Sequence, residues 1–350
     1  MNNLNVFIFF AVFFSIFAIC IAVFYFYNLN RKSKIKRKFS SYEQDESWKK
    51  LQQHLPPHFR INEANQPKES FWKWNNYNIH LDYYRNPNSS AKVILLHGLG
   101  TNGRQISLIL GQPLAKLDYE VFSIDLPGYG LTKVPNRSKI NYAEWVDLVS
   151  DFIRQEACKD RRPIFICGVS AGGMLALQIA AKNPYVKGIV GLTFGDLKQA
   201  DVQKSTMRFS PLSDLSLKGL DIIMQTRLKQ MRLPVSLVAK MYSITNNPSA
   251  LKIMLEDPLS AGSTMSVNFL DSYLNYQPTG YFEDFTQCPV LLTQPAADSW
   301  TPLALSKTVL EKLKVEYQVV MLPKGSHYPL EREALDTLIS HTVHFIETHK

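Results

Sequence analysis

Pro163-Ile164-Phe165-Ile166-Cys167 runs directly into Gly168-Val169-Ser170-Ala171-Gly172, so an apolar strand-like segment ends at a serine flanked by glycines and a small-residue helical stretch follows. The pattern reads as a nucleophile elbow, in which a serine stands on a sharp strand-to-helix turn. Glycine two positions to either side removes the side chains that would collide as the chain doubles back. A helix beginning at Ala171 would aim unpaired backbone N–H groups at the same spot. Such pentapeptides also recur by chance, so the surrounding chain decides what this one means.

Working outward from it, three further features lie where this chemistry needs them. His97-Gly98-Leu99-Gly100 ends the apolar run Val93 to Leu96, and small residues there let the backbone turn inward. The N–H of Leu99 and the N–H of Ala171 would then form an oxyanion hole, a pair of donors aimed where negative charge develops. Asp298 follows the strand-like Cys288 to Thr293 and precedes Trp300-Thr301-Pro302, so it is the expected orienting acid. Asp196, closing the strand-like Gly188 to Phe194, is its rival. His327, in Gly325-Ser326-His327-Tyr328 after the strand-like Tyr317 to Leu322, is the expected base. The order Ser170, Asp298, His327 is the order this arrangement uses. His341-x-x-His344 has no third ligand beside it and reads as helix surface rather than a metal site.

With these residues in place, the chain from about 70 to 350 resembles the serine hydrolases of the α/β-hydrolase superfamily, within them the monoglyceride lipase and lysophospholipase-like branch. Asp125-Leu126-Pro127-Gly128-Tyr129-Gly130 is similar to that superfamily's D-x-x-G-x-G turn after the fourth strand. The resemblance implies Ser170 as nucleophile, His327 as base and Asp298 as orienting acid. Two features depart from it. The Ser-Ala-Gly-Gly run is similar to the elbow of hormone-sensitive-lipase relatives, yet the triple-glycine motif of those enzymes is replaced by Gly98 and Gly100 alone, and Ala171 stands where lipases often carry a bulky residue.

The remaining pattern agrees with an α/β-hydrolase fold, a mostly parallel sheet with helices on both faces. Phe71 to Trp74 and Tyr77 to Tyr84 flank Asn75-Asn76 as an antiparallel hairpin. Apolar runs then alternate with helical periods over Gln105 to Leu117, Tyr142 to Ala157 and Ala171 to Ala181, the signature of βαβ units. Between 197 and 287 strand patterns vanish and helical ones appear, over Leu215 to Met231, Leu237 to Ile244 and Val267 to Leu274. This predicts a cap insertion. It holds six of the nine methionines (Met207, Met224, Met231, Met241, Met254 and Met265), either to meet varied apolar shapes or to fill a small helical core.

The chain of 350 residues opens with a run free of charge from Val6 to Tyr27. At ~1.5 Å per residue that run reaches about 33 Å, enough to span a bilayer. Met1 to Asn5 carries no basic side chain, so an uncleaved transmembrane anchor at 6–27 is expected rather than a signal peptide. Arg31, Lys32, Lys34, Lys36, Arg37 and Lys38 supply six of the nine net positive charges. A single juxtamembrane cluster predicts anionic headgroups as its partner, a single-pass membrane protein and a cytoplasmic catalytic domain, and it argues against nucleic acid. Residues 28–70 read as this basic flank and a polar tether, with 71–350 the hydrolase domain. Trp48, Leu51 and Leu55 share one helical face that would rest either on the membrane or on the hydrolase. Cys20, Cys158, Cys167 and Cys288 show no paired spacing, so no disulfide framework, metal or cofactor is expected.

The expected activity is hydrolysis of carboxylic esters, lipid-like acyl esters such as a monoacylglycerol or lysophospholipid above all. Thioester, amide or carbon–carbon cleavage is open to the same triad, and a catalytically silent scaffold or ligand-binding protein is the contrasting reading.

Overall fold

Alternating apolar runs and amphipathic helices pack, in the computed structural model, into one eight-stranded sheet with helices along it. The structure describes residues 39–208, 224–278 and 282–350. The chain divides into Met1–Ser40 and Ser41–Lys350, and the second unit holds the sheet. The sheet strands are β1 (Lys68–Trp74), β2 (Tyr77–Tyr84), β3 (Lys92–Leu96), β4 (Glu120–Ile124), β5 (Ile164–Gly168), β6 (Val186–Gly191), β9 (Val290–Pro295) and β10 (Tyr317–Leu322). The strands β7 (Arg232–Pro234) and β8 (Thr264–Ser266) form a separate antiparallel pair. The large sheet runs in the order β1-β2-β4-β3-β5-β6-β9-β10.

Only β1 and β2 oppose their neighbours, and β4, β3, β5, β6, β9 and β10 are parallel. The first hairpin turns at Asn75, whose φ of 49° suits a residue type that tolerates the left-handed region. The central strands β3, β4 and β5 are buried along their full length, as a parallel sheet covered on both faces requires. All the parallel strands point their C-terminal ends to one edge, where open α/β sheets bind ligands.

The helices are α1 (Glu46–Leu51), α2 (Tyr142–Lys159), α3 (Ala171–Ala180), α4 (Ala200–Thr206), α5 (Val235–Val238), α6 (Pro248–Glu256), α7 (Val267–Leu274), α8 (Leu303–Leu310) and α9 (Arg332–His349). A capping box starts α2, in which Asn141 accepts the Glu144 N–H and Glu144 reaches back to Asn141. The predicted helix over Gln105 to Leu117 begins earlier, at Gly103, and carries a π-turn at Ser107–Gly111 before Gln112–Ala115.

Three expectations are corrected. The transmembrane helix expected at 6–27 lies outside the described residues. Among the described residues no helix is long and apolar enough to cross a membrane, so the expectation is corrected to the α/β-hydrolase fold alone, and the transmembrane element and the single-pass placement with a cytoplasmic domain are withdrawn with it. The tether expected up to residue 70 is, over its described part, folded onto the domain. Tyr42, Trp48, Leu51, Leu55 and Phe59 are buried, and α1 packs on α6. Trp48 therefore rests on the hydrolase, under the Arg104 guanidinium that also covers Tyr42, at 4.7 and 4.8 Å from the ring centroids. The insertion, expected to be helical, contains the β7–β8 pair, and its described residues near 230 form a short 3₁₀ turn, Arg227–Gln230, rather than the end of a long helix. Of its methionines, Met241, Met254 and Met265 are buried, and Met207 lines the cavity that also holds Ser170.

Candidate active site

At the end of β5 the chain turns so sharply that Ser170 adopts φ 56° and ψ −122°, a region that costs a side-chain-bearing residue energy. The turn closes because its neighbours lack side chains. A Cβ on Gly168 would overlap the Gly172 carbonyl, and one on Gly172 would overlap the Leu96 carbonyl at the end of β3. Gly172 N–H to Val169 O (2.9 Å) and Gly173 N–H to Ser170 O (2.8 Å) lock the geometry. Ser170 stands partly exposed at the N-terminus of α3, a buried helix whose first N–H groups have no acceptor within the helix.

The β3 exit packs against this turn, since a Cβ on Gly98 would stand 2.9 Å from Ser170 Cβ. His97 organises it. Its Nδ1 is 2.8 Å from Gly98 O, and its Nε2 accepts the Leu126 N–H at 3.0 Å. Nε2 as acceptor leaves the proton on Nδ1, donated to Gly98 O. Burial lowers the His97 pKa, so the neutral ring this pattern requires is favoured. The Gly98 carbonyl and the Leu99 N–H belong to one peptide unit, so His97 orients the Leu99 donor. In the sequence, His97 reads only as part of the turn.

The insertion and the strand-end loops share the apolar walls. Leu99, Ser170 and Ala171 line a cavity of about 40 Å³ with Met174, Leu197, Val202, Met207, Tyr273, Trp300 and Thr301 among its other walls. None of the described residues lining it carries a carboxylate or a basic group.

His327 is buried and its Nδ1 lies 2.8 Å from Asp298 Oδ2. Thr301 Oγ1 donates to the same oxygen at 2.7 Å and stands 3.0 Å from the ring nitrogen. Asp298 Oδ1 accepts the N–H groups of Trp300 (2.8 Å) and Thr301 (2.9 Å). Burial pushes this carboxyl up, but the charge of His327, its hydrogen bond and those of Thr301 outweigh that and hold it below the ordinary range. The Trp300 ring tilts over the imidazole at 4.6 Å between centroids.

The far ring nitrogen, His327 Nε2, is buried without a hydrogen-bond partner among the described residues, so it makes no bond to the Ser170 hydroxyl in this structure. The two are linked through Trp300 and Thr301, which touch the imidazole and line the cavity that contains Ser170. Asp196 accepts the Lys198 N–H at 3.0 Å, and Asp298 is the carboxylate on the imidazole. Thr301 went unassigned in the sequence, although its place three residues after an aspartate at a strand end is a turn signal.

Beneath the loops, Asp125 is a hub. Its carboxylate accepts the N–H groups of Gly103 (2.7 Å) and Leu131 (2.8 Å) and the Tyr42 hydroxyl (2.9 Å). His80 Nδ1 lies 2.9 Å away as an ion pair, off the hydrogen-bond line. The Glu69, His80 and Asp82 side chains converge closely enough to suggest a cation site. That position is taken, because Arg104 pairs with Asp82 at 2.5 Å and with Glu69 at 3.2 Å.

A family model described as serine aminopeptidase, S33, matches residues 87–333. A magnesium-chelatase 30 kDa subunit of Rhodobacter capsulatus is 30% identical over 106 residues, 30% of this chain and 35% of that protein. Protein phosphatase methylesterase 1 of Mus musculus is 25% identical over 114 residues, 33% of this chain and 29% of that one. The chain thus spans about a third of the length of these curated relatives. Among solved structures, a soluble variant of monoglyceride lipase from Saccharomyces cerevisiae, in complex with a substrate analog, superposes with a TM-score of 0.68 at 15% identity. The match covers 84% of this chain and 99% of that one, a likeness of fold.

Proposed function

Because the chain belongs to the serine aminopeptidase S33 family, a family of α/β-hydrolase serine hydrolases, we propose that it hydrolyses carboxylic esters through an acyl-enzyme, with Ser170 as nucleophile. One observation carries the reading: a buried imidazole whose Nδ1 is held by Asp298 at 2.8 Å while its Nε2 has no partner. That is the posture of a base awaiting a proton. His327 takes the Ser170 proton as the hydroxyl attacks the ester carbonyl, and Asp298 stabilises the imidazolium. The N–H groups of Leu99 and Ala171 hold the oxyanion, and losing one such donor typically costs about 3 kcal/mol of barrier. His327 returns the proton to the leaving alcohol and then activates the water that releases the acid.

The substrate we favour carries an apolar acyl chain, as a monoacylglycerol or lysophospholipid does. The methionine, leucine and valine walls of the cavity suit such a chain. Peptide N-termini are a poorer fit to the described walls, since recognising an ammonium group calls for a carboxylate, and none of the described lining residues carries one.

The test is labelling of the full chain with a fluorophosphonate probe, followed by turnover of p-nitrophenyl esters graded in acyl length. Wild type is expected to label, with Ser170→Ala and His327→Ala silent, and turnover is expected to rise from acetyl to medium chains. Equal labelling of Ser170→Ala would overturn the assignment of the nucleophile. Faster turnover of aminoacyl anilides than of any ester would overturn the substrate class.

A further inference from the structure

We infer that Thr245, in the insertion, is a positioning residue for His327, an assignment that rests on the ester-hydrolase reading. His327 stands between Ser326 and Tyr328, and both neighbours are tied to one short stretch of the insertion. The Tyr328 N–H donates to Ile244 O at 2.7 Å. Thr245 Oγ1 lies 3.3 Å from Ser326 Oγ. Ser326 has one hydroxyl proton, and its acceptors are Tyr328 O at 2.8 Å and the Glu331 carboxylate at 3.3 Å. Thr245 is therefore the donor of the pair, and Ser326 relays its position to the carbonyl on the far side of His327. Ile244, Thr245, Ser326 and Tyr328 are all buried, so water offers these groups no substitute.

The same stretch touches the other two loops of the site. Asn246 Nδ2 donates to Ala297 O at 3.0 Å, next to Asp298. Met241 is pressed against Gly100, next to Leu99, so closely that a Cβ on that glycine would overlap its sulfur. Ala297 N–H in turn donates to Gly325 O at 2.9 Å, joining the acid and base loops directly. This part of the insertion thus contacts all three loops of the site. Helix α6, which begins just after it, is itself packed on α1.

Thr245→Val keeps the side-chain volume and removes the donor. Ser326 then keeps its bonds to Glu331 and Tyr328 but loses the one that ties it to the insertion, and proton transfer is sensitive to shifts of fractions of an ångström in the imidazole beside it. We expect the fluorophosphonate labelling rate and kcat to fall together, on the order of tenfold, with KM within about twofold. Thr245→Ser, which keeps the hydroxyl, is expected to restore both, and Thr245→Ala, which relieves any steric demand, is expected to behave as Val does. Circular dichroism and thermal melts confirm that each variant is folded. Labelling of Thr245→Val at the wild-type rate, with Ser170→Ala silent, overturns this inference alone. A Thr245→Ser as slow as Thr245→Val also overturns it, because the methyl group and not the hydroxyl would then matter. Labelling of Ser170→Ala at the wild-type rate overturns the ester-hydrolase reading and this inference with it.

Discussion

Ser170 holds a backbone conformation that its own chemistry disfavours, and close main-chain contacts at two glycines keep it there. Strain at a single residue persists only where the surroundings over-determine it. The two glycines are those surroundings, because each lies against a carbonyl that leaves no room for a methyl group. Gly172→Ala is therefore expected to cost on the order of 2–4 kcal/mol, read as a lowered Tm, and to abolish fluorophosphonate labelling in whatever folded fraction remains. Unchanged Tm and labelling would mean that the turn can relax. Asp298→Asn separates geometry from charge. Oδ2 accepts from both Thr301 and His327, and an amide nitrogen placed there would present hydrogens to two donors. We expect kcat to drop on the order of 10⁴-fold with the fold intact, because the ring tautomer that leaves Nε2 basic is no longer favoured. A drop below tenfold would show that Asp298 does not set the tautomer.

Elements differ in how visibly they announce themselves. The strands β3 and β5 fall close to their apolar runs, and the hairpin turns at Asn75-Asn76 as read, because a buried parallel strand and a two-residue turn are local facts. Leu99, Ser170, Ala171, Asp298 and His327, the proposed site, could be singled out for a similar reason, each lying just past a strand end with a turn signature. The arm at residues 42–61 was not. Its polar residues and prolines suggest a tether, and what docks it is remote in sequence: Asp125 on the Tyr42 hydroxyl, Arg104 over Tyr42 and Trp48, Glu69 on the Tyr42 N–H. The β7–β8 pair was missed because three-residue strands carry no periodicity. Tyr42→Phe tests the docking. It removes one donor from a buried carboxylate that keeps its other partners, so a loss of about 1–3 kcal/mol is expected in urea unfolding. A change below about 0.5 kcal/mol would place the arm's hold in its apolar contacts instead.

At the scale of the whole molecule, three buried ionisable groups tie stability to pH. Desolvation disfavours the His80 imidazolium, but its pairing with the Asp125 carboxylate and its bond with Glu69 outweigh that and raise the ring to about 9. Raised above its unfolded value near 6.5, His80 contributes stability that is complete below that pH and is lost as pH climbs through about 9. Asp257, pushed to about 7 by burial and then by the charge of Asp45, binds its proton more tightly folded than unfolded. That preference is fully present below an unfolded value near 3.9 and is lost as pH rises through about 7. Asp125 runs the other way. Burial raises it, but His80 holds it near 2, so its contribution is present above about 3.9 and lost as pH falls through 2. Two groups thus lose stability toward alkali and one toward acid, which places the maximum on the acid side of neutrality. Melts of the full chain from pH 3 to 10 are expected to peak near pH 4–6 and to decline in two stages, through about 7 and about 9. Asp257→Asn keeps the neutral shape of the protonated acid, so the first stage should vanish while the second remains. A first stage that survives this substitution would assign the neutral titration to another group and leave Asp257 charged in the folded protein, balanced by its bonds to Gln105, Leu259 and Ser260.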